Sequence, residues 1–367
     1  MQQTPNVLHI IHGLRVGGAE VDLVGKLRYL HREHGYPMTV CCLMRRGDLA
    51  EAMEAEGARV VGPFMAHRRD MSFVSSLRRL MRSEAWDVIH SHLYEAGVLT
   101  GLTLMTAYLK PPPWIISEHA MADYWSALPQ LMMNLMGQGA SAFAVPTQAA
   151  AESFIARGLP RHRLRVVPNG VSLDAPKPDA RARVRASLGI AENEMLLGTV
   201  CRLHAVKALP VLFEAATTLP VKVVVAGEGP ARGELEALIA ERGWGDRIRL
   251  LGTRHDVADV LAALDLFILS SVSESMSIAV AEAFLAGVPV VATRTGGVPE
   301  ITGDGRYARL VPAEDPAALR EAIIATLENV PAARRAAQEG GAWVRNHLSV
   351  AASAERLHEL YLEITAR

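Results

Sequence analysis

The sequence predicts an α/β protein of two parallel-sheet domains, and three observations carry that expectation. Short β-branched and apolar runs alternate with longer helical patterns from end to end, which is the mark of parallel strands covered by crossover helices. At 367 residues the chain exceeds what one hydrophobic core usually supports. A stretch containing Pro and Asp, Asn169 to Asp179, breaks the alternation near its middle with a turn followed by an extended connector. The two halves, 1–172 and 173–348, are therefore expected to move relative to each other and to leave a cleft between them.

In the first half, strands are expected at Val7 to Ile11, Thr39 to Leu43, Arg59 to Val61, Asp87 to His90, Trp114 to Ser117, Phe143 to Pro146 and Arg165 to Val167. Each is a short apolar run bounded by turn residues or by a helical period. The first strand runs into His12 to Glu20, a Gly-rich loop ahead of a helix, but the G-x-G-x-x-G spacing is absent and the second strand ends in Arg45-Arg46 rather than an acid. NAD binding is disfavoured. In the second half, strands are expected at Met195 to Val200, Val221 to Ala226, Ile248 to Leu251, Leu266 to Ser270, Pro289 to Ala292 and Arg309 to Val311. Ser349 can cap a last amphipathic helix running through Ile364.

Composition narrows the class. Half the residues are hydrophobic and few are aromatic, which suits alternating strands and Ala/Leu-rich helices; a formal net charge of −1 argues against a nucleic-acid binder. The three cysteines, Cys41, Cys42 and Cys201, form no C-x-x-C pair or disulfide framework, which suits a reducing cytosol. Val7 to Ile11 is too short for a signal peptide, and the longest weakly apolar window, Ala96 to Leu109, falls short of the ~18 to 20 residues that span a bilayer. A soluble or peripheral protein is expected, cytoplasmic or resting on the inner face of the membrane.

The most informative segment is Leu266 to Ile301, a buried strand, a Ser-rich loop with Glu274, a helix with Glu282 and a second buried strand. The helix begins near Ser277, so the backbone N–H groups of Met276, Ser277, Ile278 and Ala279 make an anion site above the strand end. Two carboxylates beside it suit neutral hydroxyls attached to a phosphate, as in a nucleotide sugar. Glu274, seven intervening residues and Glu282, in this strand-loop-helix setting, resemble the signature of glycosyltransferase family 4, the retaining enzymes of GT-B architecture with two facing Rossmann-like domains. The chain departs from the family's frequent Glu-Gly-Phe-Gly, having Glu274-Ser275-Met276-Ser277 instead.

The resemblance implies that Glu274 binds hydroxyls of the donor sugar, Glu282 those of the ribose, and the backbone of Ser275, Met276, Ser277 and Ile278 the diphosphate. It assigns Arg202 and Lys207, after the strand ending at Val200, to the diphosphate leaving group, although Ala208 stands where Gly is usual. It brings the loop of Gly17 and Gly18 over the donor diphosphate from the opposite domain and gives His119 a contact with the donor sugar. Gly227 and Arg254 lie in the loops that are candidates, by position, for the nucleotide base. Thr295 to Glu300 also matches the family and shapes the donor pocket. At the domain crossover Asn169, Gly170 and Val171 remain of the family's Asn-Gly-Val-Asp, with Ser172 replacing the Asp. The last helix, 349–367, returns to pack on the first domain.

No Asp-x-Asp motif of the metal-dependent glycosyltransferase architecture occurs, so metal independence is expected, with no cofactor beyond the nucleoside diphosphate sugar itself. His90 and His92, two apart at a strand end, read either as a metal pair lacking a third ligand nearby in sequence or as an acceptor-side or structural pair. Arg45, Arg46, Arg68, Arg69, Arg78, Arg79 and Arg82 gather in the first half; the last three share a helical pattern that fits either an anionic membrane surface or an ordinary solvated helix face. Together these readings imply a metal-independent retaining glycosyltransferase that adds a sugar to a glycan or lipid-linked acceptor in polysaccharide or glycolipid synthesis. A sugar-nucleotide epimerase on the same scaffold and a non-catalytic nucleotide-sugar-binding relative are the alternatives.

Overall fold

The computed structural model describes residues 4–15, 17–67, 70–107 and 111–366. Arg68, Arg69, Val16 and Leu109 lie outside these described residues. The chain divides into two compact units, one running up to Gly170 and resumed from Leu348, the other spanning Val171–His347.

The first unit is built on seven strands: β1 (Val7–Gly13), β2 (Thr39–Arg45), β3 (Arg59–Val61), β4 (Val88–His92), β5 (Trp114–Ser117), β6 (Ala142–Val145) and β7 (Leu164–Val166). All pairings are parallel, in the order β3-β2-β1-β4-β5-β6-β7. Helices cover both faces, which is why strands such as β1 and β4 read as nearly unbroken buried runs rather than alternating ones. Helices Phe73–Arg82, Leu93–Ala107, Ala127–Gly139 and Gln148–Ala156 pack their apolar sides on one face. Helix Gly18–His34 and the C-terminal helix Val350–Thr365 cover the other. The Ser349 Oγ accepts the Ala352 N–H at 3.2 Å, and Ala354, Leu357, Leu360, Tyr361 and Ile364 bury themselves against Val7, Leu30, Val88 and Ile115.

The second unit has six strands: β8 (Met195–Val200), β9 (Val221–Ala226), β10 (Ile248–Gly252), β11 (Leu266–Leu269), β12 (Val290–Thr293) and β13 (Arg309–Val311). They too are all parallel, in the order β10-β9-β8-β11-β12-β13. Both units are Rossmann-like. In each, strands are added outward on one side of the first strand and then on its other side, so the chain leaves a crevice between β1 and β4 and another between β8 and β11. Ligands of open α/β sheets settle at such points, outside the strand C-termini.

One expected strand changes in a way that bears on function. The run expected to end at His90 continues to His92, because the ladder to β5 extends as far as His92 opposite Ser117. His92 is therefore a sheet residue held in register.

Candidate functional site

In the second unit the loops after β8 and β11 meet. The Lys207 Nζ donates to the Glu274 Oε1 at 2.6 Å, and the Ser271 Oγ donates to the same oxygen at 2.8 Å. The backbone holds this arrangement from both sides: Val272 N–H donates to Val206 O at 2.9 Å, Ser270 Oγ to Lys207 O at 2.8 Å, and Gly297 N–H to Glu274 O at 3.0 Å. Glu274 is buried and Lys207 partly so. A partly buried ion pair with an added hydroxyl donor holds the carboxylate aimed and spares it from being an orphaned buried group. Arg202 is exposed and makes no ion pair among the described residues, which leaves its guanidinium available.

Lys207 owes its direction to a strained turn. Residues Ala205–Lys207 form a single 3-10 turn, and Ala208, which ends it and opens helix Leu209–Thr217, sits at φ 45°, ψ 42°. This left-handed conformation accounts for a glycine preference at that position. Beyond Glu274, Ser277 is the N-cap of helix Ile278–Leu285, whose first turn contains no acid; its first N–H groups lack intrahelical partners. Ser275, Met276 and Ser277 are buried beneath it.

Glu282 projects from that helix into a cavity of about 350 Å³ shared with Asp174, Lys177, His255, Asp256 and Asp259. Burial pushes its carboxyl up to about 7. Arg254, in the loop after β10, has its guanidinium engaged by Asp256 in a two-point pair at 2.7 and 2.6 Å, so it presents a neutralised edge there. Gly227 carries a structural requirement of its own. At φ 141° its hydrogen faces the carbonyl of Cys201, where a Cβ would stand 1.9 Å from the oxygen, so backbone crowding between the β8 and β9 loops requires glycine there.

The first unit places polar groups at the equivalent point of its own sheet. Gly17 caps helix Gly18–His34, and one turn in, Asp22 and Lys26 form a buried pair at 2.7 Å. Asp22 also accepts the Gly170 N–H at 2.5 Å. His119 follows β5, and its Nδ1 lies 2.7 Å from the Asn169 Oδ1. With that oxygen accepting, the ring proton sits on Nδ1 and a lone pair is left on Nε2. Burial is the main influence lowering the His119 pKa, so the imidazole is neutral. Glu118, invisible to the sequence reading, fixes the turn: its Oε1 accepts the N–H groups of His119 at 2.8 Å and Ala120 at 3.0 Å. Its other oxygen is buried without a partner among the described residues, and burial pushes the carboxyl up to about 7.

The missing companion of His90 and His92 is His9. Residue His9 of β1 pairs with His90 of β4 in the sheet, and all three side chains share one face. The His9 Nδ1 and His92 Nε2 are 3.1 Å apart, while the His90 nitrogens lie 2.7 Å from Tyr361 OH and 2.8 Å from Ser117 Oγ. Ring nitrogens of the three come within 4.8 Å of one another, and burial lowers each pKa, to about 3 for His9. His9 and His92 bond to each other, His90 bonds to its two hydroxyl neighbours, and Lys26 adds a cation beside them, so the rings form a neutral wall. His9 could have been found in sequence only by knowing that β1 and β4 are neighbours.

Comparison with known proteins places this geometry. A family model described as Glycosyl transferases group 1 matches residues 194–329, and one described as Glycosyltransferase Family 4 matches residues 16–175. A D-inositol 3-phosphate glycosyltransferase of Mycobacterium sp. (strain KMS) is 32% identical over 295 residues, 72% of this chain and 65% of the relative. The chain thus spans about 65% of the length of that relative. The putative glycosyltransferase EpsF of Bacillus subtilis (strain 168) is 24% identical over 305 residues, 78% of each chain. Among solved structures, Anabaena Alr3699/HepE in complex with UDP-glucose matches 98% of this chain and 100% of its own with a TM-score of 0.87 at 22% identity, a likeness of fold.

Proposed function

Because the chain belongs to glycosyltransferase family 4, among the group 1 glycosyl transferases, we propose that it moves a sugar from a nucleoside diphosphate donor to a hydroxyl of a glycan or lipid-linked acceptor, retaining the configuration of the sugar and using no metal. The observation that carries this reading is the Lys207–Glu274 pair held over the β8/β11 crevice beside the start of helix Ile278–Leu285. A diphosphate lying over that helix start meets unpaired N–H groups, and Lys207 and Arg202 supply cations as negative charge gathers on the departing phosphate. Donor hydroxyls replace Lys207 on the Glu274 carboxylate, releasing the ammonium to the diphosphate. Ribose hydroxyls donate to Glu282.

The bond from the anomeric carbon to the diphosphate oxygen breaks while the acceptor oxygen bonds to the same face of that carbon. The acceptor proton passes to the departing phosphate oxygen, which balances the exchange. His119, with its Nε2 lone pair, accepts from a sugar hydroxyl. We place the reaction in polysaccharide or glycolipid synthesis at the cytoplasmic face of a membrane. No helix among the described residues is long and apolar enough to cross one.

Uridine diphosphate is the carrier to test first, since the solved neighbour is held with UDP-glucose. Thermal unfolding of the protein with UDP, GDP, ADP and their sugar conjugates in excess chelator tests donor binding and metal independence together. A ligand at ~100 times its dissociation constant adds about 2.7 kcal/mol of stability. Selective stabilisation by one base, diminished in Glu282→Ala and Lys207→Ala, is the expected result; no response to any nucleotide would remove the donor site.

A further inference from the structure

The turn that carries His119 is closed by a side chain. Glu118 directly follows β5 and is 3% exposed. Its main-chain N–H donates to the Ala144 carbonyl at 2.9 Å, which carries the pairing with β6 one residue past the strand. The side chain then folds back, and Oε1 alone accepts the next two main-chain N–H groups, of His119 at 2.8 Å and of Ala120 at 3.0 Å. Asn and Asp side chains close turns in the same manner, by bonding the backbone just ahead of them. The backbone of His119 is thereby held by Glu118, while its ring is held at Nδ1 by the buried Asn169, 2.7 Å away. Tied at both places, the residue has Nε2 left to meet a ligand.

The second oxygen of Glu118 shows what kind of group the turn needs. Oε2 is buried and has no partner among the described residues. Glu118 lines a cavity of only about 10 Å³ with Asp22 and Lys26 of helix Gly18–His34 and with His90 and His92 of β4; the ends of β6 and β7 and the C-terminal helix contribute only apolar groups. Asp22 and Lys26 compensate each other at 2.7 Å, and burial holds His90 and His92 neutral. No uncompensated cation among these neighbours faces the carboxyl, so a charge there would be buried with one bare oxygen. Burial accordingly raises its pKa to about 7. Oε1 can keep both N–H donors whether or not Oε2 carries a proton.

We propose that Glu118 is the positioning residue of His119, fixing its Nε2 toward the donor sugar, and that it acts as a hydrogen-bond acceptor and not as a charge. The inference rests on the donor-sugar contact given to His119 in the proposed function, and it adds a group that works only through that histidine.

Glutamine retains the acceptor and lacks the charge, so two substitutions at one position make opposite predictions. The quantity to read is the extra rise in melting temperature that UDP-glucose gives over UDP, or that the GDP or ADP pair gives if that base is the one bound. Glu118→Ala is expected to lose this sugar increment as fully as His119→Ala, with the bare nucleotide stabilising both as it does the parent. Glu118→Ala/His119→Ala is expected to lose no more than either single variant, since all three remove one contact. Glu118→Gln is expected to keep the increment. An increment that survives in Glu118→Ala overturns the proposal, and so does one lost in Glu118→Gln, which would show that a carboxylate is required. A second measurement needs no nucleotide: NMR of protein with isotope-labelled histidine, the His119 main-chain amide being assigned with His119→Ala. Because that N–H donates to the carboxyl, its resonance is expected to shift as pH passes about 7 in the parent and to lose that step in Glu118→Gln. A parent amide that does not respond near neutrality overturns the proposal even if Glu118→Ala fails to fold. An amide that titrates in a protein no nucleotide stabilises would leave the link from Glu118 to His119 standing and remove the donor reading alone.

Discussion

The two units are built on the same strand order and bring polar side chains to the same place, the crevice where strand addition changes side, yet they fill it with opposite chemistry. In the first, His9, His90, His92 and His119 are neutral rings held by hydrogen bonds and burial, and the buried charged pair Asp22–Lys26 is internally compensated. In the second, Arg202 is exposed and Lys207 is paired with the Glu274 carboxylate. Topology thus sets where a site lies, and side chains set what it takes. Neutral donors and acceptors suit hydroxyls, whereas cations above a helix start suit a diphosphate.

The sharpest way to break that division is Lys207→Ala. Loss of one preorganised group that meets transition-state charge costs on the order of 10²–10³ in kcat, and the nucleotide-induced rise in melting temperature is expected to shrink with it. His119→Ala is the counterpart in the first unit. Turnover should fall roughly tenfold to a hundredfold through misplacement of the sugar, while stabilisation by the nucleoside diphosphate alone stays as in the parent. If His119→Ala removed nucleotide stabilisation as fully as Lys207→Ala, the division of labour between units would fail.

Glu282→Gln probes the comparison through pH. The folded-state carboxyl titrates at about 7 against an ordinary 4.5, so the folded protein retains a proton that the unfolded chain releases. Its stability contribution is complete below 4.5 and is lost as pH rises to about 7. Glutamine resembles the protonated form. The variant should match the parent in acid and exceed it by roughly 1–3 kcal/mol in alkaline solution, one pKa unit being worth about 1.4 kcal/mol. Nucleotide binding should move the other way, because an amide oxygen accepts from ribose hydroxyls less well than a carboxylate does. Equal melting temperatures for variant and parent on both sides of neutrality would contradict the buried carboxyl.

Two smaller effects separate the units by stability alone. Ser349→Ala removes the cap of the helix that closes the first unit and should cost about 1 kcal/mol. Ala208→Gly relieves a left-handed alanine in the second unit and should add roughly 0.5–1 kcal/mol, the strain released exceeding the flexibility gained by the unfolded chain. Chemical denaturation curves of both variants check the two signs.

Much of this was legible in advance at the level of elements. The strand runs are short, apolar and well punctuated, so their existence was readable, and the error at β4 concerned only where a ladder stops. Lys207 and Glu274 were named from a family resemblance at two strand ends, and their contact follows from β8 and β11 being neighbours. Glu118 and Ser271 were passed over because nothing in their local sequence distinguishes a buried, hydrogen-bonded side chain from a solvated one. Gly227 shows the reverse: the carbonyl of Cys201 against it is a structural need for glycine that the sequence does not reveal.

By itself, the sequence determined the fold class, the turn and extended connector of the stretch Asn169 to Asp179, and the acid spacing from Glu274 to Glu282, because periodicity, turn chemistry and motif spacing are local properties of the chain. Only the tertiary structure decided that His9 joins His90 and His92, that Asp22 ties down Gly170, that Arg254 is neutralised by Asp256, and that Leu128, Leu131 and Leu135 face outward. The reason is physical: a side chain's partner and its share of solvent depend on which strands and helices become neighbours, and that is settled by burying a common core rather than by any short stretch of residues.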